Sequence, residues 1–284
     1  MTESPNPTSN FQSPISNLQY PILEFDPARE AIIEPSRLVK PRGAPEHCVA
    51  CFFHEVVDAV ARERAAQLIF EDRWEDGLHR FYEIEHDGKR LAFFHPGVGA
   101  PVAAGMLEGA IALGCHKFIA CGGAGVLNRE IAVGHIVVPE TAVRDEGTSY
   151  HYLAPSREVR ASPAGVAAIE ATLKRHNVPY LVGKTWTTDA PYRETPEKVR
   201  LRRAEDCLTV EMEAAAFFAV AQFRGVVFAQ MLYGGDDVSG DEWDDRDWVN
   251  RKPIRERLFW LAAEACLGIR DQGLVMVLVS PDRY

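Results

Sequence analysis

The 284 residues carry 41 acidic against 31 basic side chains, a formal net charge of −10, with 46% hydrophobic and 25% charged residues. This is ordinary globular composition and excludes a polyanion-binding surface, which needs a basic stripe, while leaving room for a local pocket that takes one small anion. No run approaches the ~18 uninterrupted apolar residues of a membrane span.

The stretch from Met1 to Tyr20 is rich in Ser, Pro, Asn and Gln and lacks the basic-then-apolar order of a secretory signal. Residues 1–30 are expected to form a flexible tail, ahead of one catalytic domain over 31–284. Cys48-Val-Ala-Cys51 has metal-ligand spacing, but no second Cys/His pair lies nearby, so it reads as small residues of a buried strand. The six cysteines then fit reduced thiols of a cytoplasmic enzyme with no metal.

Val56, Val57, Val60, Ala61, Leu68 and Ile69 predict a helix over 55–70. Asp87-Gly88 between two alternating runs predicts a hairpin. The loop Gly97-Val-Gly99-Ala-Pro101 opens a helix that runs to Leu113 and stops at Gly114. Residues 117–121 and 135–139 read as strands, Ser162-Pro163 as the start of a helix to His176, and 180–188 as a strand. Thr195-Pro196-Glu197 begins another helix, 213–224 a further one stopped by Gly225, 226–233 a buried strand and 254–270 a closing helix.

Such alternation predicts a single-domain, three-layer α/β fold with a twisted, mostly mixed central sheet flanked by helices. Ligands of such sheets bind beyond the carboxyl ends of the strands. Five segments fall there: Gly97–Gly99, Gly122–Gly125, Thr187–Tyr192, Glu211–Glu213 and Gly234–Asp237.

Gly97-x-Gly99 before a helix offers backbone N–H groups and a helix start to an anion. Position 102 is Val, so the three-glycine dinucleotide fingerprint is absent. Gly122-Gly123-Ala124-Gly125 admits either close backbone packing or a flat ligand. Val210-Glu211-Met212-Glu213-Ala214 is more telling. An extended backbone turns both carboxylates to one face, and buried carboxylates need partners such as ribose hydroxyls. Complementing a helix N-terminus accounts for only one of them. In Gly234-Gly235-Asp236-Asp237, a carboxyl held protonated can act as a general acid, although a solvated acidic loop has the same composition. Trp243 and Trp248 sit among the acids that follow, as a lid or an oligomer contact.

In order, Gly97-Val-Gly-Ala-Pro-Val-Ala103, Cys121-Gly-Gly-Ala-Gly125, Arg144–Tyr152, Thr187–Glu194, Val210-Glu-Met-Glu-Ala-Ala-Ala216 and Gly235-Asp236 resemble the nucleoside phosphorylase family. The branch is that of uridine phosphorylase, hexameric purine nucleoside phosphorylase and the methylthioadenosine nucleosidases. The resemblance implies a partly closed sheet, a homo-oligomer (dimer or hexamer), and small-molecule partners, a nucleoside with phosphate as co-substrate, with no cofactor. It places Gly97, Gly99 and Gly122 at the phosphate. Glu211, Met212 and Glu213 fall at the ribose, and Gly123 and Tyr192 at the base, where Asp236 would protonate a departing purine.

The sequence departs from that pattern at the anion. The family's arginine after the first strand is replaced by Phe52-Phe53-His54-Glu55-Val56, and the arginine before the second glycine loop by Ile119. Arg80, Arg144, Lys184 and Arg193 are the cations left to substitute. That weakens the phosphate assignment, but the Arg144–Tyr152 and Thr187–Glu194 stretches look closer to the phosphorylases, so phosphorolysis of a purine nucleoside is the expected activity. Hydrolysis, a pyrimidine (uridine) substrate and a non-catalytic nucleoside-binding protein stand as alternatives.

Overall fold

The computed structural model describes residues 20–40 and 43–270. The first 19 residues of the expected tail lie outside that range. Residues 20–30 run along the body, where the Arg29 guanidinium lies 4.7 Å over the Phe223 ring.

In chain order the elements are α1 (Pro35–Leu38), β1 (His47–Cys51), α2 (His54–Glu63), β2 (Gln67–Trp74), β3 (Gly77–His86) and β4 (Lys89–Phe94). Then come α3 (Ala100–Leu113), β5 (Lys117–Val126), β6 (Ile136–Asp145), β7 (Glu158–Arg160), α4 (Pro163–Arg175) and β8 (Tyr180–Thr188). The chain continues through α5 (Pro196–Ala204), β9 (Cys207–Glu211), α6 (Ala214–Arg224), β10 (Val227–Asp237) and α7 (Lys252–Leu267).

The ten strands form one mixed sheet, as the alternation predicts. Part of it closes on itself. β10 pairs with β6, β6 with β8, β8 with β9, β9 with β5, and β5 returns to β10. Closure removes the edges from these five strands. From β5 the sheet continues outward through β1, β4, β3 and β2.

Closure explains where the glycine segments ended up. Gly122–Gly125 and Gly234–Asp237 were expected as loops, but both continue their strands because β5 and β10 pair in parallel over this stretch, Gly122 with Leu232 and Gly123 with Tyr233. The expected helix over 55–70 ends at Glu63. Ala65 takes a φ of +46°, and the chain turns into β2, which carries Leu68 and Ile69. The Asp87-Gly88 hairpin is present, with φ of +50° and +70° at the two turn residues.

Both cysteines of Cys48-Val-Ala-Cys51 are buried in β1, and all six thiols are free. α3 packs on α6 and α4 on α7, which also covers β1 and β5. At the centre, Phe228 of β10 stacks on Phe217 of α6 at 4.6 Å and on Phe118 of β5 at 6.0 Å. No helix among the described residues is long and apolar enough to cross a membrane.

Because Phe217 is fully buried at this junction, Phe217→Ala is expected to cost about 3–5 kcal/mol of unfolding free energy. Denaturant unfolding checks this, and a loss under about 1 kcal/mol would contradict the packing described.

Candidate active site

β9 ends at Glu211 and α6 starts at Ala214, so the two carboxylates occupy the connecting turn. Glu211 folds back over the start of α6. Its Oε2 accepts from the Glu213 and Ala214 amides at 2.8 and 2.6 Å, and its Oε1 from the Thr187 hydroxyl at 2.5 Å. Thr187 in turn accepts from the Ala215 amide at 3.0 Å. Glu211 is therefore a helix cap with both oxygens engaged.

Glu213 turns the other way. Its Oε1 accepts from the Gly99 amide at 2.6 Å, at the start of α3. Each carboxylate thus complements a helix start, one of them a helix 114 residues away in sequence. A helix-terminus role accounts for both after all, because two helices begin here.

Glu211 and Glu213 are 7% and 6% exposed, and no basic side chain pairs with either among the described residues. Burial raises both acids above the usual carboxylate range, and their mutual repulsion adds to this for Glu213, pushed up to about 8. Such a pair titrates jointly. Three donors point at Glu211, whereas Glu213 has the Gly99 amide and a backbone contact at Met212, so the proton is held more firmly on Glu213. Met212 between them is half-buried.

The glycine loop is held from behind. Gly97 and Gly99 have φ of +79° and +93°, a region open mainly to glycine. The Gly97 amide donates to His95 Nδ1 at 3.1 Å. Gly122 and Gly123 are small because rings cover them: a Cβ there would stand 3.0 Å from Phe52 and 3.2 Å from Tyr233.

Asp236 lies over Gly125, and its Oδ2 accepts from the Trp243 indole at 2.8 Å. The acidic segment after it folds back on β10. Asp237, buried, accepts from Arg246 at 2.6 Å, and its backbone pairs with Asp244. Trp243 thereby reaches Asp236, while Trp248 packs on Gly235 and accepts the Tyr233 hydroxyl at 2.9 Å.

Glu194, at the end of the turn after β8, faces Asp236. Burial first, and Asp236 second, push its carboxyl up to about 7. Although it closes the Thr187–Glu194 stretch, nothing in its residue type sets it apart. Tyr192 in the same turn is 99% exposed and touches none of these groups.

Neither missing arginine is replaced in place: His54 opens α2 and Ile119 is buried in β5. Arg144 is buried and bonds Ser149, Ser156 and two carbonyls, Lys184 pairs with Glu158, and Arg193 is exposed. Arg80 pairs with Glu71 at 2.8 Å and lines a cavity beside Gly97.

The comparisons with known proteins follow the same lines. The chain is 33% identical over 150 residues to a guanosine phosphorylase of Halorubrum lacusprofundi, covering 52% of this chain and 61% of that protein. It is 27% identical over 183 residues to a uridine phosphorylase of Thermococcus kodakarensis, covering 56% and 63%. It thus spans less than two thirds of the length of these relatives. Uridine phosphorylase from Vibrio fischeri superposes with a TM-score of 0.68 at 23% identity, over 81% of this chain and 94% of that one. AMP nucleosidase from Bacteroides thetaiotaomicron superposes at 0.63 with 20% identity, over 78% and 87%. These two show a shared fold. Residues 46–256 match the Phosphorylase superfamily, and with three quarters of its length inside that match the chain belongs to this family.

Proposed function

We propose that this protein cleaves the N-glycosidic bond of a purine nucleoside with phosphate, giving free base and ribose 1-phosphate. One observation carries the reading: the Glu213 carboxyl is buried without a basic partner and fixed against the glycine loop by the Gly99 amide, so it can take a ligand's hydrogen-bond donors. Ribose hydroxyls are such donors. The acidic surroundings, with Glu211 and Asp189 nearby, favour the positive charge that develops on the sugar as its bond to the base weakens.

In this reaction a phosphate oxygen bonds to C1′ while the C1′–N bond breaks and its electron pair passes to the base. Asp236 delivers a proton to a purine ring nitrogen, and the proton that phosphate gives up balances it. The Trp243 indole orients the Asp236 carboxyl, and Glu194 beside it, pushed up to about 7, holds the proton near neutrality that Asp236 passes on. A purine is supported by that pair of acids and by the Halorubrum relative, whose name specifies guanosine. One observation favours water instead of phosphate: Arg80, the guanidinium at the cavity beside Gly97, is paired with Glu71.

Assembly as a dimer or hexamer is part of the proposal. An open cleft of about 1210 Å³ runs past the site, between Ile33, Leu38 and Trp74 on one side and Pro101, Thr148 and Asp189 on the other. A second copy of the chain would cover these exposed apolar residues.

Guanosine, inosine and uridine assayed with and without phosphate test the reading. Phosphate-dependent release of base from the purines is expected, and release from none of them would overturn it. Glu213→Gln keeps an acceptor for Gly99 and is expected to lower kcat by about 10²-fold or more without unfolding the chain. Unchanged turnover would remove Glu213 from the chemistry.

The raised acid also sets a pH signature. A carboxyl whose pKa is higher folded than unfolded stabilises the fold fully below the ordinary carboxylate range, and this contribution fades as pH rises toward about 8. Denaturant unfolding at about pH 5.5 and about pH 8 should show the wild type losing more stability than Glu213→Gln. Equal losses would contradict the buried protonated state.

A further inference from the structure

A cavity of about 360 Å³ opens beside the glycine loop, lined by His54, Asp58, His79, Tyr82, His95 and Gly97 among others. Three imidazoles meet there, and their partners tell them apart. His95 is committed at both nitrogens. It accepts the Gly97 amide and bonds the Phe52 backbone, and burial pushes its pKa down to about 4. His79 is held by Asp76 at 3.0 Å. His54 is exposed and its ring stacks on His95 at 3.9 Å with 17° between the planes; among the described residues it makes no hydrogen bond.

The surroundings suit an oxyanion. α2, of 10 residues, begins at His54 without a side-chain cap, whereas the start of α3 already meets Glu213 through the Gly99 amide. Of the nearby acids, Asp76 is tied to His79, and Glu55 to Arg255 at 2.8 Å. Asp58 on α2 is the acid left at the wall, opposite Arg80. The cavity touches Gly97 and Val98, the residues that lead to the Gly99 amide bonded to Glu213.

We propose that His54 is the side chain that binds the phosphate co-substrate, donating an imidazole N–H to it from the start of α2. This rests on the phosphorolytic reading above. The stack on neutral His95 fixes the His54 ring, so the donor is positioned before the anion arrives. A single imidazole and the start of α2 then do what guanidinium groups would do elsewhere.

Steady-state kinetics of the full chain, with inorganic phosphate and nucleoside varied in turn, test this. His54→Ala is expected to raise the phosphate KM about tenfold or more, with the nucleoside KM within about twofold. His54→Arg, which restores a donor, should return the phosphate KM to the wild-type value or below it. A melting temperature unchanged in both variants separates this from a folding defect. An unchanged phosphate KM in His54→Ala overturns the assignment. Equal wild-type turnover without phosphate also overturns it but leaves glycosidic cleavage standing, whereas wild-type protein that releases no base removes the functional reading itself.

Discussion

The Glu213 carboxyl bonded to the Gly99 amide is the contact on which the site depends. It joins the turn before α6 to the loop before α3 across 114 residues of sequence, and so fixes the acid proposed to bind the sugar against the loop proposed to face the anion. Glu211 makes this possible by capping α6, and of the two acids Glu213 is pushed up furthest, to about 8. Burial is the physical cause. In water two carboxylates this close would both ionise, whereas here desolvation makes a second charge too costly until a ligand supplies donors.

The rest of the fold serves that contact. In the ring of β5, β9, β8, β6 and β10, β9 runs antiparallel to the end of β5, so the last residues of β8 and β9 lie against the glycine stretches of β5 and β10. Thr187 pairs with Glu211, and Asp236 lies over Gly125, the partner of Val210, although the sequence separates them. The arm through β1 and β4 adds His54 and His95 from the other side, where β1 and β4 run parallel. The site therefore has an acidic end, where the proposal puts a sugar that becomes cationic, and an imidazole end at the start of α2, where it puts the anion.

Much of this was legible in the chain. Pro101, Pro163 and Pro196 mark true helix starts, Gly114 and Gly225 true stops, and Asp87-Gly88 a true hairpin, because these residues act through local backbone geometry. The Glu-Met-Glu spacing put two buried carboxylates on one turn, between β9 and α6. What stayed hidden is set by long-range pairing. The continuation of β5 and β10 through their glycines follows from ring closure, which no local pattern encodes. β2 was taken into a helix because Leu68 and Ile69 continue the period of α2, while the break at Ala65 leaves no sequence mark. Glu194 and His54 are ordinary in type and become notable only through what faces them.

The most direct test of the account is a crystal structure with a purine nucleoside bound. It should place a ribose hydroxyl within about 3 Å of a Glu213 carboxyl oxygen, with the ring-nitrogen edge of the base turned to Asp236. A sugar bound without contact to Glu213, or a base facing away from Asp236, would contradict it.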